Sequence, residues 1–206
     1  MGSIGLLLSV ATSANADGWT AGVSGMVGFV STDGSESEKT GAGDKETHNH
    51  STGELFAGGS IFAEYEFSNG LAFGLDVVPV DAELGSGSRI DSGGTTQNKD
   101  DDGNSAGTFT ASADLTDLYT LYVKKTLGQS GLYALLGYHD ATITTTESLP
   151  TSTYGDAEVN GTQVGIGYQA SDNMRFQLTY SDFDAIELKS SNDATQKIKA
   201  DADAVY

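Results

Sequence analysis

The chain has 206 residues with no cysteine, 27 glycines, 2 prolines, and 29 acidic against 10 basic residues, a net charge of -19. That length suits one β-rich domain with a sizeable core, and the missing cysteine excludes a disulfide scaffold, a thiol nucleophile and any Cys-based metal site. The acidic excess repels a phosphate backbone, so nucleic acid is not an expected partner.

The chain opens with an apolar run from Ile4 to Ala11, followed by Ala14-Asn15-Ala16 ahead of Asp17. Small-x-small after an apolar stretch too short to span a bilayer predicts an export leader over 1–16, with the mature barrel domain over 17–206. A buried N-terminal strand is the other reading of the same run. No later stretch has the length of a transmembrane helix, so passage through a membrane would have to use strands.

Alternating segments follow at roughly 19–31, 53–67, 71–83, 115–127, 131–145, 160–170, 174–189 and 198–206. Three of the connections are tight turns, Ser68-Asn69-Gly70, Gly128-Gln129-Ser130 and Ser171-Asp172-Asn173, built from residues that tolerate turn geometry. They alternate strictly with long polar stretches. A soluble barrel has no general reason to gather every long connection at one end, whereas a membrane barrel has short periplasmic turns and long extracellular loops.

The first segment is glycine-rich, with Trp19 as a periplasmic-interface anchor. On the second, Leu55, Ala57, Gly59, Ile61, Ala63, Tyr65 and Phe67 share one face, against Glu54, Phe56, Ser60, Phe62, Glu64 and Glu66. The third carries Phe73 and Leu75 against Asp76 until Pro79 interrupts it, which predicts a bulge there or a position above the membrane. The fourth opposes Tyr119, Leu121 and Val123 to Thr120, Tyr122 and Lys124. The fifth, "LYALLGYHDATI", is apolar in both phases and leaves its facing open between Leu132 and Tyr133. The sixth sets Val164, Ile166 and Tyr168 against Gln163, Gly165, Gly167 and Gln169, and the seventh sets Phe176, Leu178 and Tyr180 against Arg175, Gln177 and Thr179. The last strand is poor in large apolar side chains and is expected to fall short of full length. A polar interior and an apolar exterior invert a soluble core, and the expected interfacial girdle is Trp19, Tyr65, Phe67, Phe73, Tyr119, Tyr168, Phe176 and Tyr180.

The stretches "ANADGW", "FAEYEFSNGLAFGLDV", "LYALLGYHDATI" and "GTQVGIGYQASDNMRFQLTYSDFD", with a final strand after "KIKADADA", resemble the small outer-membrane β-barrel proteins of Gram-negative bacteria, the OmpA-like and opacity-like group. The likeness covers essentially all of residues 17–206 as a pattern of architecture and composition. It implies residence in the bacterial outer membrane and contact with outer-membrane lipid and lipopolysaccharide. It also implies handling by the barrel-assembly machinery, which reads a terminal aromatic; Tyr206 is the candidate here, unless some ten further residues belong to the strand.

"NKDDDGNSAG" has oxygens at alternate positions around Asp100 and Asp102, but Phe109 stands where a calcium loop requires a bidentate glutamate, so these acids predict at most weak divalent attraction. His48 and His50 are too few for a tight metal site. His139 invites comparison with lipid A-modifying barrel enzymes, although the sequence places no serine or carboxylate beside it. Glu64, Glu66, Asp76, Lys124 and Arg175 are expected to pair inside the lumen as a plug.

The reading is an all-β, eight-stranded antiparallel up-and-down transmembrane β-barrel, structural or porin-like, without cofactor, metal or catalytic site. Two other readings are a soluble lipocalin-like ligand-binding barrel and a lipid A-modifying barrel enzyme; a piece of a larger porin is a further one.

Overall fold

The computed structural model describes residues 6–12, 18–39, 45–91, 107–148, 153–191 and 197–206. Its strands are β1 (Leu6–Thr12), β2 (Trp19–Lys39), β3 (Lys45–Glu66), β4 (Leu71–Val77), β5 (Ala82–Asp91), β6 (Gly107–Thr126), β7 (Leu132–Ser148), β8 (Ala157–Ser171), β9 (Met174–Lys189) and β10 (Lys197–Val205). All pairings are antiparallel, and they close into a ring of eight strand positions. β4 and β5 share the third position. β10 and β1 share the eighth.

That eighth position is filled end to end. β10 runs from Lys197↔Ser37 to Val205↔Phe29 on β2 and reaches Val205↔Tyr180 on β9. Tyr206 then exchanges both backbone hydrogen bonds with Thr179, and β1 takes up the same two neighbours at Leu6↔Val27 and Leu7↔Gln177. The apolar run predicted as a leader, with a buried strand as its alternative, is thus paired as a strand along residues 6–12.

The tight turns follow their residues. Gly70 sits at φ +76°, a conformation glycine adopts without penalty, and Asn69 Oδ1 accepts the Leu71 N–H at 2.9 Å. At the opposite end the sequence reading is corrected. The strands extend well beyond the predicted bounds, so that β2 and β3, 21 and 22 residues long, consume most of what was read as a long loop between them. A tilted strand needs only about 9–11 residues to cross a bilayer, so the upper halves of both project past an apolar band.

Burial is inverted relative to a soluble barrel. Leu55, Ile61, Phe73, Leu121, Leu136, Val164 and Ile166 lie exposed on the outside, while Ser60, Glu64, Thr120, Lys124, His139, Gln163, Arg175, Thr179 and Ser181 are buried within. The soluble lipocalin-like reading requires the reverse. β7, left open by its sequence, turns Leu132, Leu136 and Tyr138 outward and Tyr133, Leu135 and His139 inward. On β10 it is Ala204 and Tyr206 that face in, and Asp201 and Asp203 that face out.

Inward glycines make room for the lumen's tyrosines. A Cβ on Gly74 or Gly167 would collide with the Tyr122 or Tyr133 ring, which lies across the glycine of the neighbouring strand. Pro79 acts as a stop, not a bulge. The ladder between β3 and β4 ends at Ile61↔Val77, residues 78–81 leave the strand, and β5 resumes paired to β6 alone. Proline lacks the N–H that continued pairing requires.

Candidate functional site: the charged plug of the lumen

Alternation along β3, β6 and β9 aims Glu64, Lys124 and Arg175 at one point of the lumen. Lys124 Nζ donates to Glu64 Oε1 at 2.5 Å, Arg175 Nη1 donates to Glu64 Oε2 at 2.8 Å, and the Tyr122 hydroxyl donates to the same oxygen at 2.8 Å. Glu64 is 3% exposed, Lys124 4% and Arg175 5%. Charges so deprived of water are tolerable only when paired and hydrogen-bonded, and here one carboxylate takes three donors. The Arg175 guanidinium also lies 4.0 Å above the Phe62 ring, and Lys124 Nζ lies 5.5 Å from the centre of the Tyr133 ring.

Of the residues expected in this network, Glu66 joins from a wetter position, 3.3 Å from Lys124 Nζ. Asp76 feels the charge of Arg175 but makes no hydrogen bond with the cluster. Its Oδ2 accepts from Ser60 Oγ at 2.9 Å, and Ser60 in turn bonds Ser24, so Asp76 belongs to a neutral-donor chain one level above the ion cluster.

His139 faces the lumen. It is 1% exposed inside the barrel, with Nδ1 2.7 Å from Thr120 Oγ1 and Nε2 2.8 Å from Ser181 Oγ, and its ring stacks on Phe183. A serine does stand beside it, which the sequence alone could not place. Yet Nδ1 is held by a hydroxyl, where a catalytic histidine would be oriented by a carboxylate, and Ser181 is 0% exposed.

The expected girdle residues divide between two levels. Trp19, Tyr65, Phe67 and Phe73 form a chain of edge-to-face rings near the tight turns, with centroids 5.3, 5.0 and 6.0 Å apart, and Tyr168 and Phe176 are cross-strand partners at that end. Tyr119 and Tyr180 stand higher on the outer surface, together with Tyr138, which the sequence reading did not include; Tyr180 donates to Asp203 Oδ1 at 2.6 Å. Asp100 and Asp102 lie outside the described residues. His48 and His50 pair along β3 with Glu36 and Gly34.

No protein-family pattern matches the chain, and no curated protein matches it in sequence. In shape it is similar to several solved outer-membrane proteins. The outer membrane protein OprG from Pseudomonas aeruginosa is 12% identical, with a TM-score of 0.47 over 99% of this chain and 93% of that one. Ail, the attachment invasion locus protein of Yersinia pestis, solved in complex with the heparin analogue sucrose octasulfate, is 12% identical, with a TM-score of 0.36 over 98% and 97%. Neisserial surface protein A is 12% identical, with a TM-score of 0.31 over 86% and 94%.

Proposed function

We propose that this chain is an outer-membrane β-barrel surface protein whose lumen is closed by a charged plug, a structural barrel and not a water-filled porin. One observation carries the reading: a continuous apolar exterior surrounds an interior in which Glu64 holds Lys124 and Arg175. Such a surface is stable only against lipid, and the ring of strands, closed on the β3 side up to Ile61↔Val77, satisfies the backbone there. The tight turns face the periplasm, and the projecting strand ends with Asp33, Asp182, Asp201 and Asp203 face outward towards lipopolysaccharide and its bridging divalent ions. Insertion would use the barrel-assembly machinery. The reading assigns no catalytic role, because the Ser181–His139 pair is sealed and lacks an orienting carboxylate.

Refolding the full chain into lipid vesicles, with boiled and unboiled samples compared on a gel and single-channel recording in a planar bilayer, tests it. A heat-modifiable band without conductance steps is expected. Cation-selective steps would remove the plug from the account, and a folded protein that is soluble without lipid would remove the membrane.

A further inference from the structure

The outward residues of β10 run Lys197, Lys199, Asp201, Asp203, with cations at the outer end of the strand and acids below them. The neighbouring strands repeat this order where they could have balanced it. Lys197 stands opposite Lys189 on β9, Asp201 opposite Asp33 on β2, and Asp203 opposite Asp182 on β9. Like charges directly opposite each other destabilise a sheet, and exchanging one member of each pair would remove that cost. The outer wall thus carries a cationic level above an anionic one, in a chain whose net charge is -19.

At the cationic level one carboxylate serves three ammonium groups. Glu187 lies 3.0 Å from Lys197, 3.0 Å from Lys199 and 3.6 Å from Lys189, which leaves a surplus of positive charge. The side chains of Lys199 and Lys189 are 62% and 59% exposed. Ion pairs so open to water are weak, so a stronger anion can draw the lysines from Glu187. Directly below, a groove of about 470 Å³ opens on the outer wall between Lys199 and Asp201 of β10, Asp33 and Ser35 of β2, and Asn49 and Ser51 of β3. A β-bulge in β9 opposite Asp201 bends the wall at that level.

The two levels select a ligand with a phosphate at one end and an ammonium at the other. Lys197 and Lys199 offer charged donors to a phosphate, and the facing pair Asp33 and Asp201 offers charged acceptors to an ammonium. Residues two apart on one face of a strand are about 7 Å apart, a gap that a phosphate and an ammonium joined by two carbons cross within the reach of a lysine side chain. Ser35, Asn49 and Ser51 add the hydroxyl and amide partners that sugars take. Depth identifies the carrier. Asp33 lies four residues beyond Phe29, where the outer apolar file of β2 ends, and so about 10 Å higher on a tilted strand. A phospholipid headgroup layer is only about 5–7 Å deep, which sets the groove at the level of the sugars above it. We propose that this groove binds phosphoethanolamine carried on the core sugars of outer-leaflet lipopolysaccharide, with Lys197 and Lys199 on the phosphate and Asp33 and Asp201 on the ammonium. This rests on the membrane reading above, which turns these strand ends outward.

The test uses the full chain folded in maltoside micelles, which carry neither phosphate nor amine. Core oligosaccharide released from lipopolysaccharide, either bearing phosphoethanolamine or lacking only that group, is titrated in by calorimetry. The bearing form is expected to bind about five-fold more tightly, the scale of an exposed ion pair. Asp33→Asn with Asp201→Asn should erase that ratio, and Lys197→Gln with Lys199→Gln should weaken both forms. Glu187→Gln releases the lysines and should tighten both forms, the opposite of what a purely structural cluster would give. A ratio unchanged by the aspartate variants, or weaker binding by Glu187→Gln, overturns the proposal while the heat-modifiable band persists. Free phosphoethanolamine that binds as tightly as the substituted oligosaccharide overturns the sugar carrier. Loss of the heat-modifiable band from the unsubstituted chain overturns the membrane reading instead.

Discussion

Glu64 and Arg175 stand 111 residues apart in sequence and meet at 2.8 Å across the lumen. With Lys124 on the other carboxylate oxygen, one acid neutralises two cations that have almost no access to water. Glu64→Ala therefore strands both cations, and breaking a buried pair by removing one partner costs about 3–5 kcal/mol. The expected result is a clear fall in the urea midpoint of the vesicle-inserted protein, with conductance steps emerging in the planar bilayer as the plug loosens. An unchanged midpoint would mean that the cluster contributes no net stability.

Tyr122 and Tyr133 fill the lumen only because Gly74 and Gly167 leave their rings a seat. Gly167→Ala should cost about 1–3 kcal/mol by overpacking against the Tyr133 ring. Pairing it with Tyr133→Leu should recover part of the loss. Strictly additive losses in the double variant would show that the ring and the glycine are not coupled.

Period-two alternation made the barrel legible in the sequence, because large apolar side chains in one phase and Glu64, Lys124 and Arg175 in the other already describe an inside-out sheet. Strand ends were not legible. Polar residues beyond the bilayer stay in register with a neighbour, as Ser37 does with Lys197, without leaving an amphipathic trace. The plug's members were found by parity, but its geometry was not. Asp76 has the same parity as Glu64, and only three-dimensional height separates its serine chain from the ion cluster. Ser181 beside His139 was missed for the same reason, since their contact depends on two strands meeting across the lumen.

Glu187 lies above the apolar band, and hydrogen bonds from Lys197 and then Lys199 pull its carboxyl down to about 2 from the usual 4.5. A depressed folded-state value means that its contribution to docking β10 on β9 is fully present above pH 4.5 and is lost as pH falls towards 2. Side-chain NMR titration should show that low midpoint, and Lys197→Gln with Lys199→Gln should return it towards 4.5. A midpoint near 4.5 in the unsubstituted chain would show that the lysines do not hold the carboxylate in solution.

His139 joins Thr120 and Ser181 with both ring nitrogens in a sealed layer. His139→Ala leaves two buried hydroxyls without this partner, each worth about 1–3 kcal/mol if nothing replaces it, and opens space beside Phe183. The variant should unfold at lower urea, while cells producing it show the same lipid A mass as cells producing the unsubstituted chain. A lipid A mass that depends on His139 would revive the enzyme reading.

Trp19 is the single tryptophan, so its fluorescence reports one place on the barrel. It is 57% exposed on the outer surface, edge-on to Tyr65 beside the tight-turn end. Indole prefers the headgroup level, where its ring meets hydrocarbon and its N–H meets polar groups. Insertion into vesicles should shift the emission to the blue, and lipids brominated near the headgroup should quench it more strongly than lipids brominated near the chain ends. Stronger quenching from the chain ends would place this end of the barrel deep in the bilayer and displace the apolar band from the level at which Trp19, Phe67 and Phe73 mark its boundary.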